Sequence, residues 1–237
     1  MKNVNGFSLV EMAIVLVIVG LLLGGGLTIF TTQQELRHVQ ETTALLNEAR
    51  DALIGFAITN GRLPCPAPAT TATGAAGAGL EPTPILAGGC ANNAGVLPWA
   101  TLGINETDAW GNRYTYRVTQ GFTATASPFT LSSLGNMTIN NTAPLGGNPI
   151  SLTTIPVVVL SHGKNGNGAY NTQGTQLPLG ADVDEQDNQL TAGGTATADT
   201  NFISKTPTAT FDDHVNWLSF DASSFVYKRM VAAGKLP

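Results

Sequence analysis

The residues of this chain that could do chemistry fall into a few groupings, each open to a test of type and spacing. Ser161 and His162 supply a hydroxyl and an imidazole side by side, the raw material of a nucleophile and its base. Adjacent residues on a strand point to opposite faces, and no G-x-S-x-G turn surrounds Ser161, so a hydrolase is a poor reading. Gly163-Lys164-Asn165-Gly166-Asn167-Gly168 is rich enough in glycine to suggest a phosphate loop. It lacks the Gly-Lys-Ser/Thr ending that such a loop uses, and a hairpin turn is the simpler account. Asp182, Asp184, Glu185 and Asp187 alternate within Gly180–Asn188, and carboxylates so spaced can surround calcium. Asp182, Asp184 and Asp187 are the candidate ligands. Against them, no glycine holds the EF-hand turn position and the twelfth-position Glu is missing, which leaves a solvated acidic loop as the alternative. His38, His162 and His214 have no metal-ligand spacing with the cysteines, and His214 beside Asp213 reads as a surface residue.

Glu11 is the most conspicuous group. It is the only charged residue between Phe7 and Phe30. At 1.5 Å per residue such a run makes a helix of roughly 36 Å, longer than the ~30 Å hydrocarbon core of a bilayer. A carboxylate inside it costs about 2.5–3.5 kcal/mol at mid-helix and calls for a partner. Cys65 and Cys90 are the only cysteines. Beyond a membrane-crossing N-terminus they read as one disulfide in an oxidising compartment, worth roughly 3 kcal/mol for a loop of that length; two buried thiols are the alternative.

These groups need elements to hold them. Charged residues are 11% of the 237, hydrophobic ones 43%, and the net charge is −5 with no basic cluster. Such a chain can bury a core, and it carries no electrostatic footprint for nucleic acid or for anionic lipid. After Phe30 the pattern turns amphipathic. Leu36, Val39, Thr43, Leu46, Ala49, Leu53 and Phe56 recur at spacings of three and four, and Gly61 and Pro64 end the helix near Ile58. The Gly24-Gly25-Gly26 triplet inside the apolar half marks either a weak point or a close packing surface. Residues 64–98 read as a long Pro- and Gly-rich loop that needs a tether. Tyr114, Tyr116 and Val118 alternate as a strand does, after a Gly111-Asn112 turn. Phe129–Leu134, Met137–Ile139, Ile155–Leu160 and Phe211–Leu218 are further strand candidates. A short last helix follows, capped by Asp221 or Ser223 and closed at Gly234.

The N-terminus does not suit an ordinary signal peptide: its apolar run is too long, is interrupted by Glu11 and has no A-x-A site. Gly6-Phe7-Ser8-Leu9-Val10-Glu11 resembles instead the processing signature of type IV pilins and type II secretion pseudopilins: a Gly, an aromatic residue, then a Glu five positions into the mature chain. Asp108-Ala109-Trp110-Gly111-Asn112-Arg113-Tyr114 is similar to a run that opens the β-sheet in pseudopilin heads. The chain departs from many members in carrying Thr28 where they have a proline. The resemblance implies cleavage between Gly6 and Phe7 by prepilin peptidase, methylation of the new amine, and pairing of that amine with Glu11 during filament assembly.

The implied organisation is α+β. A leader over 1–6 precedes a transmembrane helix over 7–30 and an amphipathic helix over 31–58. The long helix packs on a small antiparallel sheet in a periplasmic head over 59–237. The implied function is a structural subunit of a pilus or pseudopilus, with sister subunits, membrane lipid and an inner-membrane platform driven by a cytoplasmic ATPase as partners. A minor tip pilin that binds surfaces is the rival from a different class. For the other rival, a membrane-anchored periplasmic enzyme, no residue constellation speaks, and no cofactor beyond calcium is expected.

Overall fold

A computed structural model describes residues 8–126, 129–130, 132–141, 154–197, 200–219 and 225–235, with the side chains of 22–31 and 225–226 outside the description. The chain divides into two compact units, Met1–Gln40 and Glu41–Pro237. Helix α1 spans Leu9–Asn60, and its backbone is helical through Gly24-Gly25-Gly26. It ends as its sequence predicts. Gly61 takes φ +72°, which a residue with a Cβ adopts only under strain, and its N–H donates to the Ala57 carbonyl at 2.8 Å.

In the second unit, strands β1 (Ala94–Val96), β2 (Thr115–Val118), β4 (Val157–Ser161) and β6 (His214–Leu218) form an antiparallel sheet in the order β1-β2-β4-β6. One face packs on α1: Leu46, Ala49, Leu53, Ile54 and Ala57 meet Tyr114, Tyr116, Val118, Val157, Val159 and Leu218. The other face carries Val158 and Leu160, which pack with Met137, Ile139, Ile155 and Phe202. β4 is therefore covered on both sides, which is why it reads as an unbroken apolar run and not as an alternation.

The second layer corrects the expectation of a purely antiparallel head. β3 (Thr138–Asn140) and β5 (Asn201–Ile203) pair in parallel as a separate two-stranded sheet. Phe129–Leu134 forms no strand among its described residues; a turn closes there, with the Ser133 N–H on the Thr130 carbonyl at 3.0 Å. The sheet also opens earlier than the Trp110 run. β1 lies inside the stretch read as loop, and a bridge between Ala67 and Val96 covers its outer edge.

The register of the α1 stripe shifts as well. Thr42 and Ala57 are buried, whereas Thr43 and Leu36 are exposed and Phe56 is half-buried. Thr42 turns inward because its hydroxyl accepts the Ala109 N–H at 3.3 Å. Phe56 lies under the Arg62 guanidinium, 5.3 Å from the ring centre. Three short helices complete the unit: α2 (Trp99–Leu102), α3 (Val183–Asn188) and α4 (Phe225–Ala232). α4 buries Met230 and closes at Gly234, where the Lys235 N–H reaches the Met230 carbonyl at 2.9 Å. The proposed caps of this helix, Asp221 and Ser223, lie outside the described residues.

Candidate functional site

At the N-terminus, Gly6 and Phe7 lie outside the described residues, and the description begins at Ser8. Ser8 and Glu11 bond reciprocally. The Ser8 N–H donates to Glu11 Oε2 at 2.8 Å, and the Glu11 N–H donates to Ser8 Oγ at 3.2 Å. This is a capping box, which satisfies two backbone donors that a helix start leaves open. The S-x-x-E spacing announces it in the sequence, but the search for a charged partner passes over it. The large apolar side chains that follow face outward, from Leu9 at 87% exposure to Leu21 at 73%. Among the described residues no helix is long and apolar enough to cross a membrane. The run read from the sequence also includes Phe7 and the side chains of 22–31, which the description leaves out.

The disulfide joins Cys65 to Cys90 with Cα atoms 5.5 Å apart, so the two cysteines do pair. Other contacts fasten the same loop. Arg62 grips Glu81 with two bonds of 2.9 Å, and Glu81 Oε2 also accepts the Cys65 N–H at 3.1 Å. Arg113 is buried completely and fans out. Its Nε meets Glu106 at 2.8 Å, Nη1 the carbonyls of Ala69 and Thr71 at 3.0 and 2.8 Å, and Nη2 the Thr73 hydroxyl at 3.1 Å. Its guanidinium also stacks 4.6 Å over Trp99. Nothing in the sequence marks Arg113 as a core residue, since arginine is normally exposed.

Ser161 and His162 diverge, as strand geometry requires. Ser161 Oγ donates to Asp108 Oδ2 at 2.6 Å, while His162 Nε2 meets the Thr115 hydroxyl at 2.9 Å. Asp108 is the hub of the Trp110 turn: its Oδ1 accepts the N–H groups of Trp110 and Asn112 at 3.0 and 2.9 Å. Burial raises its carboxyl above the ordinary range despite the opposing Ser161 hydrogen bond. His214 stacks on Trp110 with centroids 5.9 Å apart.

The acidic stretch folds differently from the ligand set Asp182, Asp184 and Asp187. Asp182 caps α3, accepting the Asp184 N–H at 2.9 Å, and the Thr210 hydroxyl holds its carboxyl below the usual range. Asp184 pairs with Lys205, whose ammonium lies over the Phe211 ring. The carboxylates that converge are those of Glu185, Asp212 and Asp213, whose oxygens lie within 4.8 Å of one another. Glu185 is buried and accepts Asn165 Nδ2 at 2.6 Å and Asn167 Nδ2 at 2.9 Å. Asp213 accepts Asn188 Nδ2 at 2.8 Å on its Oδ2. Burial pushes Asp212 up to about 6, with repulsion from Asp213 and Glu185 adding to it and the Asn165 N–H opposing it. Asp212 and Asp213 escape a sequence reading because they lie some 25 residues from Glu185, beyond any motif window.

Residues 1–27 match the family described as the prokaryotic N-terminal methylation motif. No curated protein and no solved structure matches the chain. The first 27 residues thus carry the prepilin-type signal of type IV pilins and pseudopilins, on which prepilin peptidase acts.

Proposed function

We propose that the chain is a structural subunit of a pilus or pseudopilus, serving type II protein secretion or a type IV pilus system. The observation that carries this reading is the match over residues 1–27, which contains the Gly6-Phe7 junction and Glu11. Cleavage after Gly6 creates an α-amino group on Phe7, one residue before the Ser8–Glu11 box. A carboxylate has about four lone-pair sites, so Glu11 can serve Ser8 and still receive an ammonium. Burying the ammonium of an incoming subunit beside that carboxylate costs far less than burying either charge alone, and it sets the axial register of the stack.

The apolar residues from Leu9 to Leu21 then lie against lipid before assembly and against sister helices after it. The protein is anchored in the inner membrane with its head in the periplasm. Other pilin-type subunits and an assembly platform driven by a cytoplasmic ATPase are its partners. The test is intact mass of membrane-extracted protein together with filament incorporation. Wild type should lack Met1–Gly6, and Glu11→Ala should be processed normally yet enter filaments at a small fraction of the wild-type level. Full-length protein beside an active peptidase, or normal incorporation of Glu11→Ala, would refute the reading.

A further inference from the structure

We propose that Glu185, Asp212 and Asp213 form a binding site for a hard divalent cation, calcium, that pins the long crossover between β4 and β6. The ligands come from both ends of that crossover's path: Glu185 from α3 within it, Asp212 and Asp213 from the run into β6. Their oxygens lie within 4.8 Å of one another. Oxygens bound to one calcium ion at 2.3–2.6 Å are at most about 5 Å apart, so a single ion can touch all three carboxylates.

An independent observation points to the ligand. Asp213 is only 4% exposed, and its Oδ1 has no hydrogen-bond donor. The nearest charged or polar neighbour recorded for that oxygen is His162 Nδ1 at 3.7 Å, which is itself buried without a bond. Asp212 Oδ1 is likewise buried and unbonded. A buried carboxylate oxygen without a donor is costly, and a cation supplies what the protein does not. The remaining oxygens are already held: Asn165 and Asn167 orient Glu185, Asn188 orients Asp213, and the Asn165 N–H holds Asp212 Oδ2 at 2.9 Å. Such outer bonds preset ligands before an ion arrives. Three carboxylates with oxygen-only donors suit calcium rather than a softer metal.

The ion would tie three points of the chain together: the turn after β4, helix α3 and the entry to β6. Its loss should loosen the segment 163–212 and leave the packing of α1 on the sheet intact. The test uses the full chain in detergent, stripped with a chelator and titrated with calcium or magnesium while melting temperature and limited proteolysis are followed. Calcium at a hundredfold excess over its Kd should raise the melting temperature by roughly 5 °C and protect sites within 163–212. Asp213→Asn should weaken calcium binding about tenfold or more, whereas Asp187→Asn should leave it unchanged. Glu185→Gln, which keeps both amide contacts' shape, should act as Asp213→Asn does. No calcium effect in wild type, an equal effect in Asp213→Asn, loss of the effect in Asp187→Asn, or a response to magnesium alone would each overturn the proposal. Proteolysis of the wild type with and without chelator decides the matter even where a variant does not fold.

Discussion

Arg113 shows how much one side chain can organise. Its guanidinium donates to Glu106, to the carbonyls of Ala69 and Thr71 and to the Thr73 hydroxyl, in full burial and against the Trp99 face. A planar fork can satisfy acceptors in several directions at once, and an ammonium cannot. Arg113→Lys is therefore expected to destabilise the head by about 3 kcal/mol or more, close to the loss of a buried ion-pair partner. The midpoint of urea unfolding measures it, and a change below about 1 kcal/mol would show that the fan is ornamental. Glu11 is a second case at this scale. Its type and spacing were legible, and so was the need for a partner. The Ser8 contact was missed because a charge was sought where a hydroxyl and a backbone N–H suffice.

Among the elements, α1 was the most legible and still slipped by one position at two places. A period of three and four fits Thr43 and Phe56 as well as Thr42 and Ala57, and only the partner surface decides between them. The Ala109 N–H selects Thr42, and Arg62 holds Phe56 at the rim. Leu53→Ala should then cost about 2–5 kcal/mol, and Phe56→Ala about 1 kcal/mol. Thermal unfolding of the two variants separates them, and equal losses would place Phe56 in the core after all. The strands divide by the same logic. β2 and β4 announce themselves through aromatic alternation and a β-branched run. β1 hides as Ala94-Gly95-Val96, with no β-former until its last residue. It exists because β2 and the Ala67 bridge offer it partners on both sides. The parallel β3–β5 pair was illegible for another reason: its strands are three residues each and far apart in sequence.

For the whole molecule, the division at Gln40 and Glu41 is an experimental statement. The second unit contains its own core, including Leu46, Ala49, Leu53, Ile54 and Ala57 of α1. A fragment starting at Glu41 should fold cooperatively, and one starting at Gly61 should not, since it removes one wall of that core. Circular dichroism and a single sharp melting transition tell the two apart. Cooperative melting of the shorter fragment would mean that the sheet holds without the helix. At this scale the sequence reached the order of the elements and the covalent tether. It did not reach the cluster at Glu185, Asp212 and Asp213, because only the crossover brings those positions together.

The doubly fastened loop bears on how the head matures during export. Arg113 reaches Ala69, Thr71 and Thr73, all between the two cysteines, and Arg62 holds Glu81 in the same stretch. These contacts need no oxidant, so they can draw Cys65 and Cys90 together while both are still thiols. With only two cysteines in the chain there is one intramolecular pairing to make. The head therefore depends on an oxidase for its final covalent bond and has no call on an isomerase, because there is no wrong partner to undo.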